Sequence, residues 1–211
     1  MTGDNGRVVV DITVTADGYS AGAHQTEERP FGDDGGDGSG AALHAWMFDT
    51  PQENRAEIDL VLSGAAFIMG RNMFGPVRGA WDRPWNGWWG ADPPFHAPVF
   101  VLTHHARDPQ PMDGGTTYRF VTDGIAAALS RARAAAGDGD VLIMGGATTI
   151  NQYLAAGLVD EVRLHVVPFT LGAGTRVFEG VPPLRLEQVS ARAATGVTHL
   201  VYRVLPGSGE V

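Results

Sequence analysis

Short apolar runs, each closed by glycine, aspartate or proline, alternate along this chain with stretches whose apolar residues recur at helical spacing. Residues 7–15, RVVVDITVT, predict a strand with Val8, Val10, Ile12 and Val14 on one face and Val9, Asp11, Thr13 and Thr15 on the other. Asp17-Gly18 ends it, because both residue types tolerate turn dihedrals. AFIM (66–69), VFVLT (99–103), YRFVT (118–122), VLIM (141–144) and residues 162–169 predict further strands. Residues 41–64 read as mostly helical, with a break near Pro51 and a stop at Gly64, and GRNMF (70–74) opens a short helix. Asp123 predicts a side-chain cap for a helix with the stripe Ile125, Ala128, Leu129 and Ala132, ended by Gly137. Ile150, Tyr153, Leu154 and Leu158 form the inner face of the next helix, with Gly157 near its end. Residues 186–194 and 197–205 pair as a hairpin through Ala194-Thr195-Gly196.

Strands alternating with helices predict an α/β fold with a mostly parallel central sheet and an antiparallel C-terminal hairpin. With 211 residues and no linker between two cores, the chain reads as one domain, 1–211, with its core at about 7–205. Two segments interrupt the pattern. Residues 27–40, EERPFGDDGGDGSG, have little to bury and read as a mobile surface loop, either a solvated insertion or a flap beside a site; Asp33 and Asp34 read there as solvated charge. Residues 76–98 place Trp81, Trp85, Trp88 and Trp89 among prolines and glycines, as loop packing, a pocket wall or a partner surface.

Composition narrows the function. A formal charge of −9, from 15 basic and 24 acidic residues, is a poor balance for a nucleic-acid binder. The absence of cysteine excludes disulfides, thiolate zinc sites and cysteine nucleophiles. No apolar run approaches membrane-spanning length and the start lacks a signal-type apolar region, so the expectation is a cytoplasmic protein that neither crosses nor binds a membrane. There is no GxSxG nucleophile elbow and no HExxH pair, and no metal is expected.

Three predicted strand ends carry the candidate chemistry: Gly70-Arg71, Thr103-His104-His105 and Gly145-Gly146. Ligands bind outside the carboxyl ends of parallel strands. An arginine, hydroxyl and imidazole groups, and bare N–H groups at a helix start suit a dinucleotide's phosphates. Each also has a plain structural reading: an ion pair for Arg71, a strand end for the histidines and a tight strand–helix turn for the glycines.

In one order along the chain, TADGYSAG, FIMGRNMF, VFVLTHHAR and VLIMGGATTINQYLAAGLVDEVRLHVVPFTLGAGTRVF resemble the dihydrofolate-reductase-like superfamily, in the branch related to the reductase domain of bacterial riboflavin biosynthesis. The resemblance implies a mostly parallel sheet with helices on both faces, NADPH as cofactor and a homodimer. It implies that Gly70, Arg71, Asn72 and Met73 meet the cofactor, that Thr103, His104 and His105 sit near its 2′-phosphate, and that Gly145, Gly146, Ala147, Thr148 and Thr149 cradle the pyrophosphate across a cis Gly145–Gly146 bond. The activity it implies is hydride transfer to a C=N or C=O bond of a small heterocyclic substrate, with Asp17, Glu57 or ordered water as the candidate proton donor; Asp17 also reads simply as part of its Asp-Gly turn. A ligand-binding protein without catalysis and a flavin-dependent relative are the alternatives on the same fold.

Overall fold

The computed structural model describes residues 6–76 and 79–206. Its elements, in chain order, are β1 (Val8–Thr15), β2 (Tyr19–Ala21), α1 (Ala41–Phe48), α2 (Arg55–Val61), β3 (Ala66–Gly70), α3 (Arg71–Phe74), β4 (Pro98–Leu102), β5 (Gln110–Pro111), β6 (Thr117–Val121), α4 (Gly124–Ala136), β7 (Val141–Gly145), α5 (Ala147–Ala155), β8 (Glu161–Val167), β9 (Thr175–Arg176), β10 (Leu186–Ala194) and β11 (Val197–Val204). Nine strands form one sheet in the order β10-β11-β8-β1-β7-β3-β4-β6-β5. The stretch from β8 to β6 is parallel. The hairpin β10–β11 closes one edge antiparallel and β5 closes the other. Strands β2 and β9 pair separately.

Strand β1 is central, and all eight of its residues are buried. Val8, Val10, Ile12 and Val14 pack against α4 and α5 through Ala128, Leu129, Ala132, Ile150, Tyr153 and Leu154. The face that carries Asp11, Thr13 and Thr15 is covered as well. There α1 lies across the sheet, and Trp46 Nε1 donates to Thr13 Oγ1 at 3.1 Å. Removing the ring would cost about 3–5 kcal/mol, the usual loss for a large buried aromatic.

Three local expectations change. Asp123 precedes α4 but makes no side-chain cap; its carboxylate accepts from Arg131 instead. Asp34 is 2% exposed, not solvated, because the 27–40 loop folds around it. Its Oδ1 accepts from the N–H groups of Gly36 and Gly38, both at 2.9 Å, and its Oδ2 from Gly40 N–H at 2.7 Å. Three amides with no sheet or helix partner thus find one acceptor group. In the 76–98 segment, of which residues 77–78 lie outside the described residues, tryptophans pack on the sheet. Trp81, Trp85 and Trp89 join the cluster of Phe67, Phe74 and Tyr118, and Trp88 meets Trp85 edge-on at 4.9 Å.

Candidate functional site

The sheet order makes β7, β3 and β4 consecutive parallel neighbours, so the three candidate strand ends emerge side by side. Gly70 ends β3 with φ −78, a backbone any residue adopts. Its requirement is space: a Cβ there would lie 2.4 Å from Thr149 Oγ1 on α5. The β3 end and the start of α5 are therefore interlocked.

Arg71 begins α3 and turns toward β4. Its Nη1 donates to Thr103 Oγ1 at 2.6 Å and its Nη2 to the Gly79 carbonyl at 3.1 Å. Its guanidinium carbon lies 3.2 Å from the centre of the Trp81 ring, a cation–π contact. Trp81 is held in turn by donating to the His105 carbonyl at 3.0 Å. Thr103 Oγ1 also accepts from His105 N–H at 3.1 Å. Arg71 and Thr103 thus form one unit with the Trp81 ring beneath it. His105 enters it through its backbone, and His104 is exposed. Asn72 is exposed, while the Met73 sulfur lies 3.7 Å from where a Cβ on Gly145 would sit.

At the end of β7, Gly145 has φ 118 and the Gly145–Gly146 peptide is cis. That φ excludes ordinary side chains at Gly145. A Cβ on Gly146 would meet nothing within 4 Å, so the glycine leaves an open approach to the start of α5. Ala147 is fully buried and Thr149 is 7% exposed, with its hydroxyl against Gly70 and its N–H donating to the Gly146 carbonyl at 2.9 Å. Thr148 is exposed. Of these five residues, Thr148 alone presents a side chain outward; Ala147 offers only its N–H, which has no acceptor within a first helical turn.

Asp17 and Glu57 are bonded to other elements and have other tasks. Asp17 accepts from Thr15 Oγ1 at 2.5 Å and from Gly172 N–H at 2.8 Å, which ties the turn after β1 to the loop after β8. The Thr15 hydroxyl, chiefly, holds this carboxyl below its ordinary range; partial burial opposes it and the loop N–H groups assist. Glu57 makes a two-pronged ion pair with Arg192, with both contacts at 2.7 Å. Burial pushes the Glu57 carboxyl up, but the bond to Arg192 and further contacts outweigh it, and the net shift is downward. Both groups are held ionised, whereas a general acid must carry its proton near working pH.

Two participants lay outside the sequence reading. Arg107 places its guanidinium carbon 4.8 Å from the Trp81 ring centre and donates to the Trp85 carbonyl at 2.9 Å; burial lowers its pKa. A polar chain of Asp11, His165, His199 and Asn54 lies buried beneath α1. The signal for the first was an arginine four residues beyond Thr103. For the second it was Asp11 inside an apolar strand.

The sheet thus brings a glycine turn, a helix start and an arginine–threonine pair to adjacent strand ends, outside which α/β sheets bind their ligands. Comparison is more specific. The model of the RibD C-terminal domain matches residues 7–200, and the chain belongs to that family. It is 34% identical over 106 residues to the uncharacterized protein YyaP of Bacillus subtilis, a match spanning 49% of this chain and 52% of that one. The chain thus matches about half the length of this curated relative. Among solved structures, it resembles a putative riboflavin biosynthesis protein from Shewanella sp. PV-4, with TM-score 0.64 and 22% identity over 95% of this chain and 99% of that one. It also resembles a diaminohydroxyphosphoribosylaminopyrimidine deaminase/5-amino-6-(5-phosphoribosylamino)uracil reductase from Thermotoga maritima, with TM-score 0.58 and 16% identity over 95% and 57%. A third is a pyrimidine reductase-like protein from Corynebacterium diphtheriae, with TM-score 0.57 and 12% identity over 97% and 94%. These likenesses establish the fold as that of the riboflavin-biosynthesis reductases, which is dihydrofolate-reductase-like.

Proposed function

We propose that this chain is an NADPH-dependent reductase that transfers a hydride to a C=N or C=O carbon of a small heterocyclic substrate. The observation that carries the reading is the Arg71–Thr103 unit standing beside the open Gly145–Gly146 turn. The residues fit the cofactor. The bare Gly146 and the exposed Thr148 leave room for a diphosphate at the start of α5. Arg71 and Thr103 supply a cation and a hydroxyl for the 2′-phosphate. When bound, NADPH supplies the hydride; the protein orients it and excludes water. Family membership and the pyrimidine reductase-like protein among the structural neighbours support a pyrimidine-like heterocycle as the substrate class.

Calorimetric titration with NADPH, NADH and FMN tests the reading. Binding that prefers NADPH is expected. Arg71→Ala should weaken NADPH at least tenfold, because a hydrogen bond to a charged group contributes about 1.5–3 kcal/mol and about 1.4 kcal/mol is a factor of ten. The same variant should change NADH less. Equal losses for both would remove Arg71 from the phosphate, and silence with NADPH would overturn the reductase reading.

A further inference from the structure

Four polar side chains, three from β1, β8 and β11 and one from the corner between α1 and α2, make one continuous line under α1. His165 Nε2 lies 2.9 Å from Asp11 Oδ1, His165 Nδ1 lies 2.7 Å from His199 Nδ1, and His199 Nε2 lies 3.0 Å from Asn54 Oδ1. Asp11 is 3% exposed and each histidine 4%. The orientation of the Asn54 amide is fixed by its neighbours. Its Nδ2 donates to the Trp46 carbonyl at 2.9 Å and the Thr50 carbonyl at 3.1 Å, while its Oδ1 accepts from Arg192 Nη2 at 2.9 Å. Reversing it would set donor against donor and acceptor against acceptor. Asn54 Oδ1 is therefore an acceptor, and His199 Nε2 must carry a proton.

The protons along the line can then be counted. Each of the three contacts needs one proton between its two heavy atoms. Two neutral imidazoles supply two, and an ionised carboxylate supplies none. The third proton makes one imidazole a cation or Asp11 a neutral acid. With it, every contact has its proton; without it, two acceptors face each other. Neighbouring charges do not change that count: Arg163 forms an ion pair with Asp11 through the other carboxylate oxygen, Oδ2, and donates nothing to the line. Arg163 bonds Glu161 at 2.8 Å and stands 3.7 Å from Asp11 Oδ2, and Arg192 bonds Glu57. Glu53 lies on the Arg192 side. His44 of α1 is pushed down in pKa, first by burial, with a smaller effect from His165. Burial, and then the charge of His165, push His199 down to about 4, which places the cation away from His199.

We infer that Asp11, His165 and His199 form a proton-binding site, holding one buried proton that locks the α1–α2 corner to the sheet. The corner is Asn54, which clasps the end of α1 through the Trp46 carbonyl. Trp46 lies over His165 with ring centroids 4.4 Å apart. It shares a packing cluster with Met144, the residue before Gly145. Release of the proton breaks one link of the line and loosens α1, the helix that carries Trp46. A cavity of about 90 Å³, lined by Asp11, Glu57, Arg163, His165, Arg192 and His199, gives water a route to the site.

Two measurements on the full chain test this. Long-range proton–nitrogen NMR of ¹⁵N-histidine protein, with the ¹³C shift of the Asp11 carboxyl, counts protons on the three groups at pH 7. A total of three is expected, in any distribution; two neutral rings with an ionised Asp11 overturn the inference. The second measurement is folding stability against pH in wild type and Asp11→Asn, whose amide donates to His165 Nε2 and so completes the line with two neutral imidazoles. Above the ordinary histidine range near pH 6.5, the folded wild type keeps a proton that the unfolded chain releases. Its folding constant should then fall about tenfold per pH unit relative to the variant. Parallel profiles overturn the lock. If the variant does not fold, the proton count on wild type still decides.

Discussion

Gly70 offers a sharp test of why this strand end is built from glycine. Its backbone angles suit any residue, so Gly70→Ala is not strained by dihedrals. The new methyl would sit 2.4 Å from Thr149 Oγ1, and the next neighbours are Thr149 Cβ at 3.5 Å and the Gly145 carbonyl at 3.7 Å. One atom therefore causes the clash, and it belongs to a buried side chain on α5 with little freedom to retreat. Overpacking of this kind costs about 1–3 kcal/mol. Thr149→Ala removes that atom and leaves contacts of ordinary van der Waals length. The double variant should thus be more stable than the sum of the single losses by about 1–3 kcal/mol. Urea unfolding of the four proteins at pH 7 measures this coupling, and simple additivity would refute the interlock. NADPH titration of the double variant then separates two uses of the glycine. Affinity restored with the packing means that Gly70 serves Thr149. Affinity still lost means that the cofactor itself needs the bare Cα.

Asp34→Ala should destabilise the 27–40 loop by about 3 kcal/mol, since three amides, those of Gly38 and Gly40 buried, lose their acceptor. Faster hydrogen exchange at Gly38 and Gly40 would report it, and unchanged exchange would contradict the capping role. Asp17 sets an acid limit. Its folded pKa lies below the ordinary value of 3.8, so its stabilisation is present above that value and is lost as pH falls through the folded one. Asp17→Asn should flatten the acid-unfolding profile below about pH 4, and superimposable profiles would show that Asp17 does not link the two loops.

Much of the fold could be read from the chain. Apolar runs of strand length, helical spacing in 124–136 and 147–155, and the turn residues between them are local signals, and the elements fall at those places. The three strand ends could be read for the same reason: a glycine or polar residue closing an apolar run marks where a parallel strand delivers its end. Other features depended on which residues meet across the fold. Arg71 reaches Thr103 over 32 positions, His165 meets His199 over 34, and His165 meets Asp11 over 154. Periodicity reports which face a side chain occupies, not what covers that face. Asp11 and Thr13 alternate as an outward face would, and α1 buries them. Asp34 reads as solvated charge until its own loop closes around it. Local order was thus settled along the chain, because backbone preference and spacing act over a few residues. Partners, burial and the protonation of buried groups were settled by tertiary packing alone, because each depends on atoms brought from distant positions.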